Sequence, residues 1–414
     1  MSDSLEQLHL ELLSLSVYRK VLRQPVTAAL AEAVAAAGQG DIPRLCGAAG
    51  NLCAMLAEKG KLDSLPAAVA EEVLGDDNAY SAALTGGHSA PALVERAALR
   101  DLGCLYRAAS LTPQALFAGV PAETAALLPA WGCAPASAPM DGAWDADSDA
   151  LAAYHAVHGC GRFSEHIAFL WRDGALLPVD HPDPIRLSNL KSYEYQRRLA
   201  VDNTRAFLDG FEANNMLLYG DRGTGKSSTV KALLNEYAPE GLRMIEMPKE
   251  YLRQLPDLTG YLAGIPMKFI VFIDDLSFSA NDDNFAALKA VLEGGLASRP
   301  DNVLIYATSN RRHLLRETFS DRAGDEVHHA DTVQESVSLS DRFGLSLTFL
   351  LPDKQRFLDI VEQMAADRGL KVERQTLLDA AERWALERGA RSPRYARQFI
   401  ADAQARLARG EALR

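Results

Sequence analysis

The first third of the chain carries the apolar spacing of short packed helices. Leucines recur at intervals of three, four and seven positions from Leu5 to Leu22 and predict a helix that stops at Gln24-Pro25. Ala- and Leu-rich stretches predict further helices at 26–37, 42–58, 91–109 and 113–128. Residues 134–150 are polar and rich in turn formers, and they predict a flexible connection outside the core. We therefore expect a mainly α-helical N-terminal domain over residues 1–165.

A different pattern follows. Apolar runs at 167–171 and 175–179 flank Asp173-Gly174 and predict a hairpin, because Asp-Gly tolerates the positive φ of a tight turn. A helix is predicted at 190–208. Five short apolar runs then alternate with segments of mostly helical length, at 216–219, 242–247, 269–273, 303–307 and 345–350. This alternation predicts an α/β domain over 166–351, with a five-stranded parallel sheet covered by helices on both faces.

Past Pro352 the helical pattern returns, at 354–368, 374–387 and 391–408, and predicts a C-terminal helical lid over 352–414. The whole chain of 414 residues is 48% hydrophobic and 24% charged, which excludes disordered, collagen-like and disulfide-scaffold proteins. The chain opens without a basic segment leading into an apolar one, and its apolar stretches fall well short of the ~20 residues of a membrane span. A cytoplasmic protein with no membrane partner is expected.

Charge and cysteines add modest constraints. Residues 1–180 contain 11 basic and 21 acidic residues, whereas residues 181–414 contain 32 and 34, so only the second part has the balance for a local nucleic-acid site. All five cysteines lie in the first 160 residues without a Cys-x-x-Cys pair, which favours free thiols. His155, His158 and Cys160 could supply three metal ligands, but a fourth is missing, and we expect a structural role for them.

The strongest chemical signal follows the first of the five apolar runs. One segment fits the phosphate-binding pattern Gly-x-x-x-x-Gly-Lys-Ser/Thr without a mismatch: Gly220-Asp221-Arg222-Gly223-Thr224-Gly225-Lys226-Ser227. It lies before a helix-forming run that begins at Ser228, and its eight residues together with Ser228 are predicted to bind the nucleotide. Backbone N–H groups and Lys226 would contact phosphate oxygens, and the Ser227 hydroxyl would bind Mg²⁺. The motif therefore predicts a bound nucleotide together with Mg²⁺.

Two carboxylates follow the strand predicted at 269–273. Asp274 and Asp275 stand at its carboxyl end, where open parallel sheets bind ligands. Asp274 is predicted to bind Mg²⁺ directly or through water, and Asp275 to polarise the attacking water. The alternative is structural, because paired aspartates after a strand also cap helices or start turns.

Three further side chains are candidates by position. Asn310 follows the strand predicted at 303–307, Arg342 precedes the last strand, and Arg394 opens the last helix. Asn310 could orient water or contact the terminal phosphate. Taken singly, a Ser-Asn pair after a strand is typical of a turn, and arginines are common on solvated faces.

Together these parts resemble the AAA+ ATPases from about Leu187 to Leu407, because each of that superfamily's elements is present in the family's order. The resemblance implies that Asn310 is the first sensor, Arg342 an arginine finger supplied to a neighbouring subunit and Arg394 the second sensor. Leu190 and Tyr193 fall in the stretch that lines the adenine pocket in such enzymes. It also implies a ring or helical homo-oligomer, whose assembly can depend on ATP.

The chain departs from many relatives in two places. Its acidic pair is Asp-Asp rather than Asp-Glu, and Met247-Pro248-Lys249-Glu250 leads directly into a predicted helix without the aromatic-Gly pore loop of protein-unfolding relatives. The second departure points towards replication initiators and helicase loaders. Four strings resemble more closely an uncharacterised bacterial AAA+ family of unknown function over about 165–405: Gly-Asp-Arg-Gly-Thr-Gly-Lys-Ser-Ser, Asp-Asp-Leu-Ser-Phe, Ala-Thr-Ser-Asn-Arg-Arg-His-Leu and Leu-Ser-Asp-Arg-Phe-Gly.

These features lead to two main hypotheses. The first is a Mg-ATP hydrolase that couples ATP binding and hydrolysis to oligomer assembly or to remodelling of a client, which could be a protein or a nucleic acid. The second is a nucleotide-gated binding module with little turnover. A small-molecule P-loop kinase lacks support, because Arg342 and the helical lid have no necessary role there. The N-terminal domain is expected to recognise the client, and the charged stretch 316–337 is either a contact loop or a solvated loop.

Overall fold

The computed structural model describes residues 2–265, 267–278, 283–293, 300–310 and 342–413. The chain divides into two compact units, Met1–Glu165 and His166–Arg414. The charged stretch 316–337 lies outside the described residues. The division of the second unit at residue 351 into a sheet domain and a lid stays a proposal.

The first unit is built of helices, as its leucine and alanine spacing predicts. They are α1 Ser2–Leu13, α2 Pro25–Gln39, α3 Ile42–Glu58, α4 Leu65–Leu74, α5 Ala79–Thr85, α6 Ala92–Ala109, α7 Pro113–Leu116, α8 Ala122–Ala125, α9 Ser148–His158 and α10 Arg162–Glu165, with a 3₁₀ turn at Arg19–Arg23. The helix predicted to reach Leu22 ends at Leu13. The buried Asp101 carboxylate accepts hydrogen bonds from the backbone N–H groups of Val17 (2.8 Å) and Tyr18 (3.2 Å), which holds the chain in a turn.

The connection predicted at 134–150 is irregular but lies against the core. Met140 is 1% exposed and Trp144 is 2% exposed, and the Trp144 Nε1–H donates to the Met140 carbonyl at 3.0 Å. The prediction that this stretch lies outside the core was therefore wrong. Two large apolar side chains outweigh the surrounding polar residues once they find a packing surface.

The second unit contains one seven-stranded sheet. Its strands are β1 Ala168–Arg172, β2 Ala175–Pro178, β3 Met216–Gly220, β4 Leu242–Glu246, β5 Lys268–Ile273, β6 Val303–Ser309 and β7 Leu345–Phe349, in the spatial order β2-β1-β4-β5-β6-β3-β7. The five predicted strands, β3 to β7, are all present and mutually parallel. The α/β class is thus confirmed.

The predicted count of five strands was too low, because the hairpin joins the sheet. β1 and β2 are antiparallel across the predicted turn, where φ is 52° at Asp173 and 75° at Gly174. β1 also pairs in parallel with β4, with Phe169 opposite Ile245. Sequence reasoning found the hairpin but not its partner, because the pairing depends on an open edge of β4 that lies far along the chain.

Helices surround this sheet and form the C-terminal segment. They are α11 Glu194–Leu208, α12 Lys226–Tyr237, α13 Leu255–Ala263, α14 Asp283–Glu293, α15 Lys354–Asp367, α16 Arg374–Glu387 and α17 Pro393–Ala408, with 3₁₀ turns at Leu187–Asn189, Ala238–Glu240 and Lys249–Gln254. The helix predicted from residue 190 begins only at Glu194, because Ser192 and Tyr193 take φ values of 66° and 61°. Within the part of the chain that the structure describes, no helix has the length and apolar character that a membrane crossing requires.

The strand order brings the chemically important segments together. β3 lies between β6 and β7, and β5 lies on the other side of β6. Because these strands are parallel, the loops that follow β3, β5 and β6 leave the same edge of the sheet. The central residues of these three strands are fully buried, among them Leu217, Val271 and Ile305, so the sheet is a rigid support for that edge. Helices α15 to α17 pack around a separate apolar core.

Candidate functional site

The phosphate-loop segment connects β3 to α12 and is fixed to the neighbouring strand β7. Gly220 has φ of 132°, and a Cβ atom there would lie 2.1 Å from the Phe349 carbonyl oxygen. The Asp221 N–H donates to that same oxygen at 2.8 Å. Only glycine allows so close an approach, so the first glycine of the motif joins the loop to the sheet.

Asp221 ties the loop together through both its backbone and its side chain. Its carboxylate accepts a hydrogen bond from the Leu351 N–H at 2.8 Å, and its carbonyl accepts one from the Thr224 hydroxyl at 2.8 Å. Neither Gly220 nor Asp221 is among the described residues that line the adjoining cleft. The structure therefore gives these two predicted nucleotide-binding residues the position of supports for the loop.

Lys226 opens α12 and is almost enclosed, at 6% exposed. Its Nζ donates to the carbonyls of Gly220 at 2.9 Å and Asp221 at 2.8 Å, and to Asn310 Oδ1 at 3.3 Å. Burial lowers the pKa of Lys226, and the nearby carboxylates, led by Asp221, oppose that shift. The ammonium group thus lies where the loop, α12 and the end of β6 converge.

Two pairs of polar side chains meet beside Lys226. The Ser227 hydroxyl donates to Asp274 Oδ1 at 2.6 Å, and the Asn310 side-chain amide donates to Asp275 Oδ1. These four predicted residues come from three separate segments of chain. The structure places them in one network at the carboxyl edge of the sheet.

Thr308 completes this network and was not predicted from the sequence. It is 2% exposed, its hydroxyl oxygen accepts the Asp275 N–H at 3.0 Å, and its hydroxyl donates to Asp274 Oδ1. The signal was a threonine two positions before Asn310 at the end of a predicted strand. Its importance depends on the pairing of β5 with β6, which the sequence alone did not supply.

The predicted adenine-side residues, Leu190 and Tyr193, also line the cleft. The Tyr193 hydroxyl donates to the Leu350 carbonyl at 2.6 Å, and its ring centroid lies 5.0 Å from that of Phe349. Burial raises the pKa of Tyr193 to about 12. Arg197, which sequence reasoning missed, donates from Nη1 to the Leu190 carbonyl at 2.6 Å and so holds the segment that carries both predicted residues.

The last helix of the chain touches the phosphate loop. The Arg394 N–H donates to the Gly223 carbonyl at 3.1 Å. Ser392 caps this helix by accepting the Tyr395 N–H at 3.3 Å, and a Cβ atom at Gly223 would lie 3.1 Å from the Ser392 hydroxyl oxygen. The predicted second sensor is therefore brought to the loop by a direct backbone contact.

These groups surround a cleft of about 710 Å³, within the range of small-molecule sites. Its lining comes from the 189–193 segment, the phosphate loop, the ends of β5 and β6, and helices α11, α15 and α17, and includes Asn189, Leu190, Lys191, Ser192, Tyr193, Arg197, Arg222, Gly223, Thr224, Gly225, Lys226, Ser227, Ser228, Asp274, Asp275, Thr308, Asn310, Met364, Arg394 and Arg397. Arg342 is not among the described lining residues. It precedes the fully buried Phe343, which lies two residues before β7.

The donor set fits a hard cation beside a polyphosphate. The Ser227 hydroxyl and the Asp274 carboxylate supply oxygen ligands 2.6 Å apart, and Mg²⁺ in such sites uses one or two carboxylates together with substrate phosphates and water. The amino end of α12, with Lys226, Arg222 and Arg394 around the cleft, offers the positive field that phosphates require.

Comparison with solved structures gives distant matches. The Thermotoga maritima RuvB Holliday junction branch migration motor is 17% identical over 56% of this chain and 68% of that chain, with a TM-score of 0.38. Two solved variants of the same protein match over the same shares, with 17% identity and a TM-score of 0.39, and with 16% identity and a TM-score of 0.38.

Comparison with protein families gives a match over more than half of the chain. The matching model covers residues 164–407, nearly the interval of about 165–405 over which the motifs resemble an uncharacterised AAA+ family. It includes the whole sheet, the phosphate loop and helices α15 to α17. The resemblance drawn from the motifs is thereby confirmed, and the chain belongs to the family described as "Protein of unknown function (DUF815)".

Proposed function

We propose that this protein binds ATP together with Mg²⁺ and hydrolyses it. One observation carries the proposal. The phosphate loop, the Ser227–Asp274 pair, the Asp275–Asn310 pair and Arg394 all contribute to a single cleft of suitable volume. Each alone has an ordinary structural explanation, but their convergence around one space is what phosphoryl chemistry requires.

Binding of the phosphates and binding of the adenine are proposed for different residues of the cleft lining. Backbone N–H groups at the start of α12 and the Lys226 ammonium would contact the phosphates, with Arg222 and Arg394 adding positive charge. The segment containing Leu190 and Tyr193 would contact the adenine. The contacts of Gly220 and Asp221 with the main chain at the end of β7 hold the loop in one conformation before a ligand binds. This lowers the entropic cost of binding.

Hydrolysis needs a group that activates water. Asp275 is proposed to accept a proton from the attacking water. The oxygen of that water bonds to the terminal phosphorus while the bond between this phosphorus and the ADP oxygen breaks. Ser227 and Asp274 would hold Mg²⁺, which when bound neutralises charge on the phosphate oxygens. Asn310 donates to the Asp275 carboxylate and would fix its orientation.

Assembly and client binding complete the proposal. Arg342 lies outside the described lining of its own cleft, which is consistent with its donation to the cleft of a neighbouring subunit in a homo-oligomer. The acidic helical unit Met1–Glu165 is proposed to recognise a protein client, whereas a nucleic-acid client would bind the second part of the chain, where basic and acidic residues balance. ATP binding and hydrolysis would then drive assembly of the oligomer or remodelling of that client.

A nucleotide-gated switch with little turnover is the second candidate. The observation that favours it is the hydrogen bond from the Asn310 amide to Asp275 Oδ1, which occupies one oxygen of the carboxylate that would have to take the proton of the attacking water. A multiple-turnover ATPase measurement separates the two functions, since only the hydrolase releases many phosphates per protein chain.

The decisive variant for ATP binding is Lys226→Ala. We expect it to lose ATP binding, measured by titration calorimetry, or at least turnover, because Lys226 is the buried cation of the loop. Lys231→Ala is the matched control, since Lys231 lies on the same helix outside the cleft lining and its removal should change neither quantity. Unchanged affinity and turnover in Lys226→Ala would refute the site assignment.

A further inference from the structure

One buried hydroxyl contacts both acidic residues of the cleft. Thr308 accepts the Asp275 N–H at 3.0 Å and donates its proton to Asp274 Oδ1. The same Asp274 oxygen accepts the Ser227 hydroxyl at 2.6 Å and the Asp275 N–H at 3.1 Å. The orientation of the proposed Mg²⁺ ligand is therefore set by a hydroxyl that is itself 2% exposed.

The Thr308 hydroxyl also contacts the backbone of Asp275. Asp275 has φ of 50°, in the left-handed region, which is uncommon for residues with a Cβ atom although aspartate adopts it more readily than most. Neighbouring contacts help to hold a residue in this conformation. The bond from its N–H to Thr308 is one such contact, and it fixes the direction in which the Asp275 side chain leaves the main chain.

Thr308 is well placed to act as a fixed support. It lies in β6 opposite Leu218 of β3, and its neighbour Ala307 pairs with Ile273 of β5. Its own carbonyl accepts the Leu276 N–H at 2.7 Å. The segment that carries both aspartates is thus attached to a central strand through the backbone and the side chain of one residue.

We propose that Thr308 is the positioning residue that presents Asp274 to Mg²⁺ and Asp275 to the attacking water. This inference rests on the proposed ATPase function. Removing the hydroxyl would leave the phosphate loop intact but release both carboxylates from their fixed directions. Outer-shell partners of this kind commonly change metal affinity or activity by about 10–100-fold.

The test compares Thr308→Val, which keeps the shape but not the hydroxyl, with Thr308→Ser, which keeps the hydroxyl. Affinity for a fluorescent ATP analogue is measured in EDTA and in Mg²⁺, and kcat is measured alongside. In EDTA we expect both variants to match the parent protein. In Mg²⁺, Thr308→Val should lose the gain in affinity that the metal gives and about 10–100-fold in kcat, whereas Thr308→Ser should restore both.

Thr204→Val is the matched control for loss of a buried threonine hydroxyl. Thr204 is fully buried and bonds the Ala200 carbonyl and the Tyr306 hydroxyl away from the cleft lining. Its replacement should lower the unfolding temperature without changing the effect of Mg²⁺ on affinity. If Thr308→Val does not fold, Thr308→Ala takes its place in the comparison with Thr308→Ser.

The outcomes separate the two proposals. A parent protein that binds and hydrolyses ATP, with Thr308→Val and Thr308→Ser behaving alike, overturns the role of Thr308 alone. A parent protein that neither binds nor hydrolyses ATP overturns the proposed function and this inference with it. A loss of affinity in EDTA for Thr308→Val would also overturn the inference, because the residue would then support the loop rather than the carboxylates.

Discussion

Asp275 combines an exposed carboxylate with a backbone that is held in place. Its left-handed φ of 50°, the bond from its N–H to Thr308 and the bond from Asn310 to its side chain are all present at one residue. Aspartate also takes a left-handed φ in ordinary turns, as at Asp173, but at Asp275 this φ is combined with two hydrogen bonds to side chains beside the cleft. The geometry supports a chemical role for Asp275 more directly than its place in the sequence does.

We predict that Asp275→Asn retains ATP binding but loses turnover. The amide oxygen can still accept the Asn310 hydrogen bond, so the cleft should keep its shape, whereas an amide cannot accept the proton of the attacking water. The loss in kcat should be about 10²–10⁴-fold, measured in a multiple-turnover assay with binding checked by calorimetry. Asp257→Asn is the control and should leave binding and turnover unchanged, because Asp257 is exposed on α13 and lies outside the described cleft lining. Loss of binding instead would mean that the roles of Asp274 and Asp275 are reversed.

At the scale of elements, β3, the loop and α12 depend on β7 for their geometry. The Asp221 N–H and carboxylate bond the main chain at Phe349 and Leu351, and the Tyr193 hydroxyl bonds it at Leu350. The segment that leaves β7 towards α15 is therefore held both by the phosphate loop, through Asp221, and by Tyr193. A substitution in the phosphate loop should therefore also change the backbone conformation ahead of α15.

We predict that Gly220→Ala strongly destabilises this arrangement. The added Cβ would lie 2.1 Å from the Phe349 carbonyl oxygen at φ of 132°, so β3 and β7 would have to separate. Gly210→Ala is the control, because Gly210 also has positive φ, at 82°, but open space around its Cβ position, and should cost only about 1–2 kcal/mol. Scanning calorimetry of the full chain should show a drop in unfolding temperature at least twice as large for Gly220→Ala. Equal drops would contradict the close approach.

At the scale of the whole molecule, the question is whether one chain suffices for hydrolysis. The described lining of the cleft contains Arg394 but not Arg342. An arginine that stabilises the charge developing on the transferred phosphoryl group must reach that group, so Arg342 can serve only through another copy or a different arrangement of the chain. Catalysis by the assembled protein would then depend on concentration.

We predict that Arg342→Ala binds ATP normally but hydrolyses it about 10³–10⁵-fold more slowly. Mixing it with Lys226→Ala should restore part of the activity, because a cleft from the first variant can receive Arg342 from the second. Phosphate release is measured across mixing ratios and total protein concentrations. The absence of rescue, with hydrolysis per chain independent of concentration, would exclude a site shared between subunits.

The local pattern of the sequence was sufficient for the five parallel strands, the phosphate loop and the helices that the structure describes after β3, β4, β5 and β7. Each depends on residues that are close neighbours in the chain, so periodicity, glycine placement and the Gly-Lys-Ser ending could be interpreted directly. The pattern also located the strand and helix ends that carry the acidic pair, Asn310 and Arg394, which line one cleft in the structure, while their chemical roles stay predictions.

Only the tertiary structure decided how these parts support one another. Thr308 and Asp274 are 34 positions apart, and Asp221 and Leu351 are 130 positions apart, yet each pair shares a hydrogen bond. The hairpin's place in the sheet and the burial of Met140 and Trp144 likewise depend on surfaces formed by distant segments. A sequence pattern records which face of an element is apolar, whereas the partner of that face is fixed only when the chain packs and its buried polar groups must find hydrogen bonds.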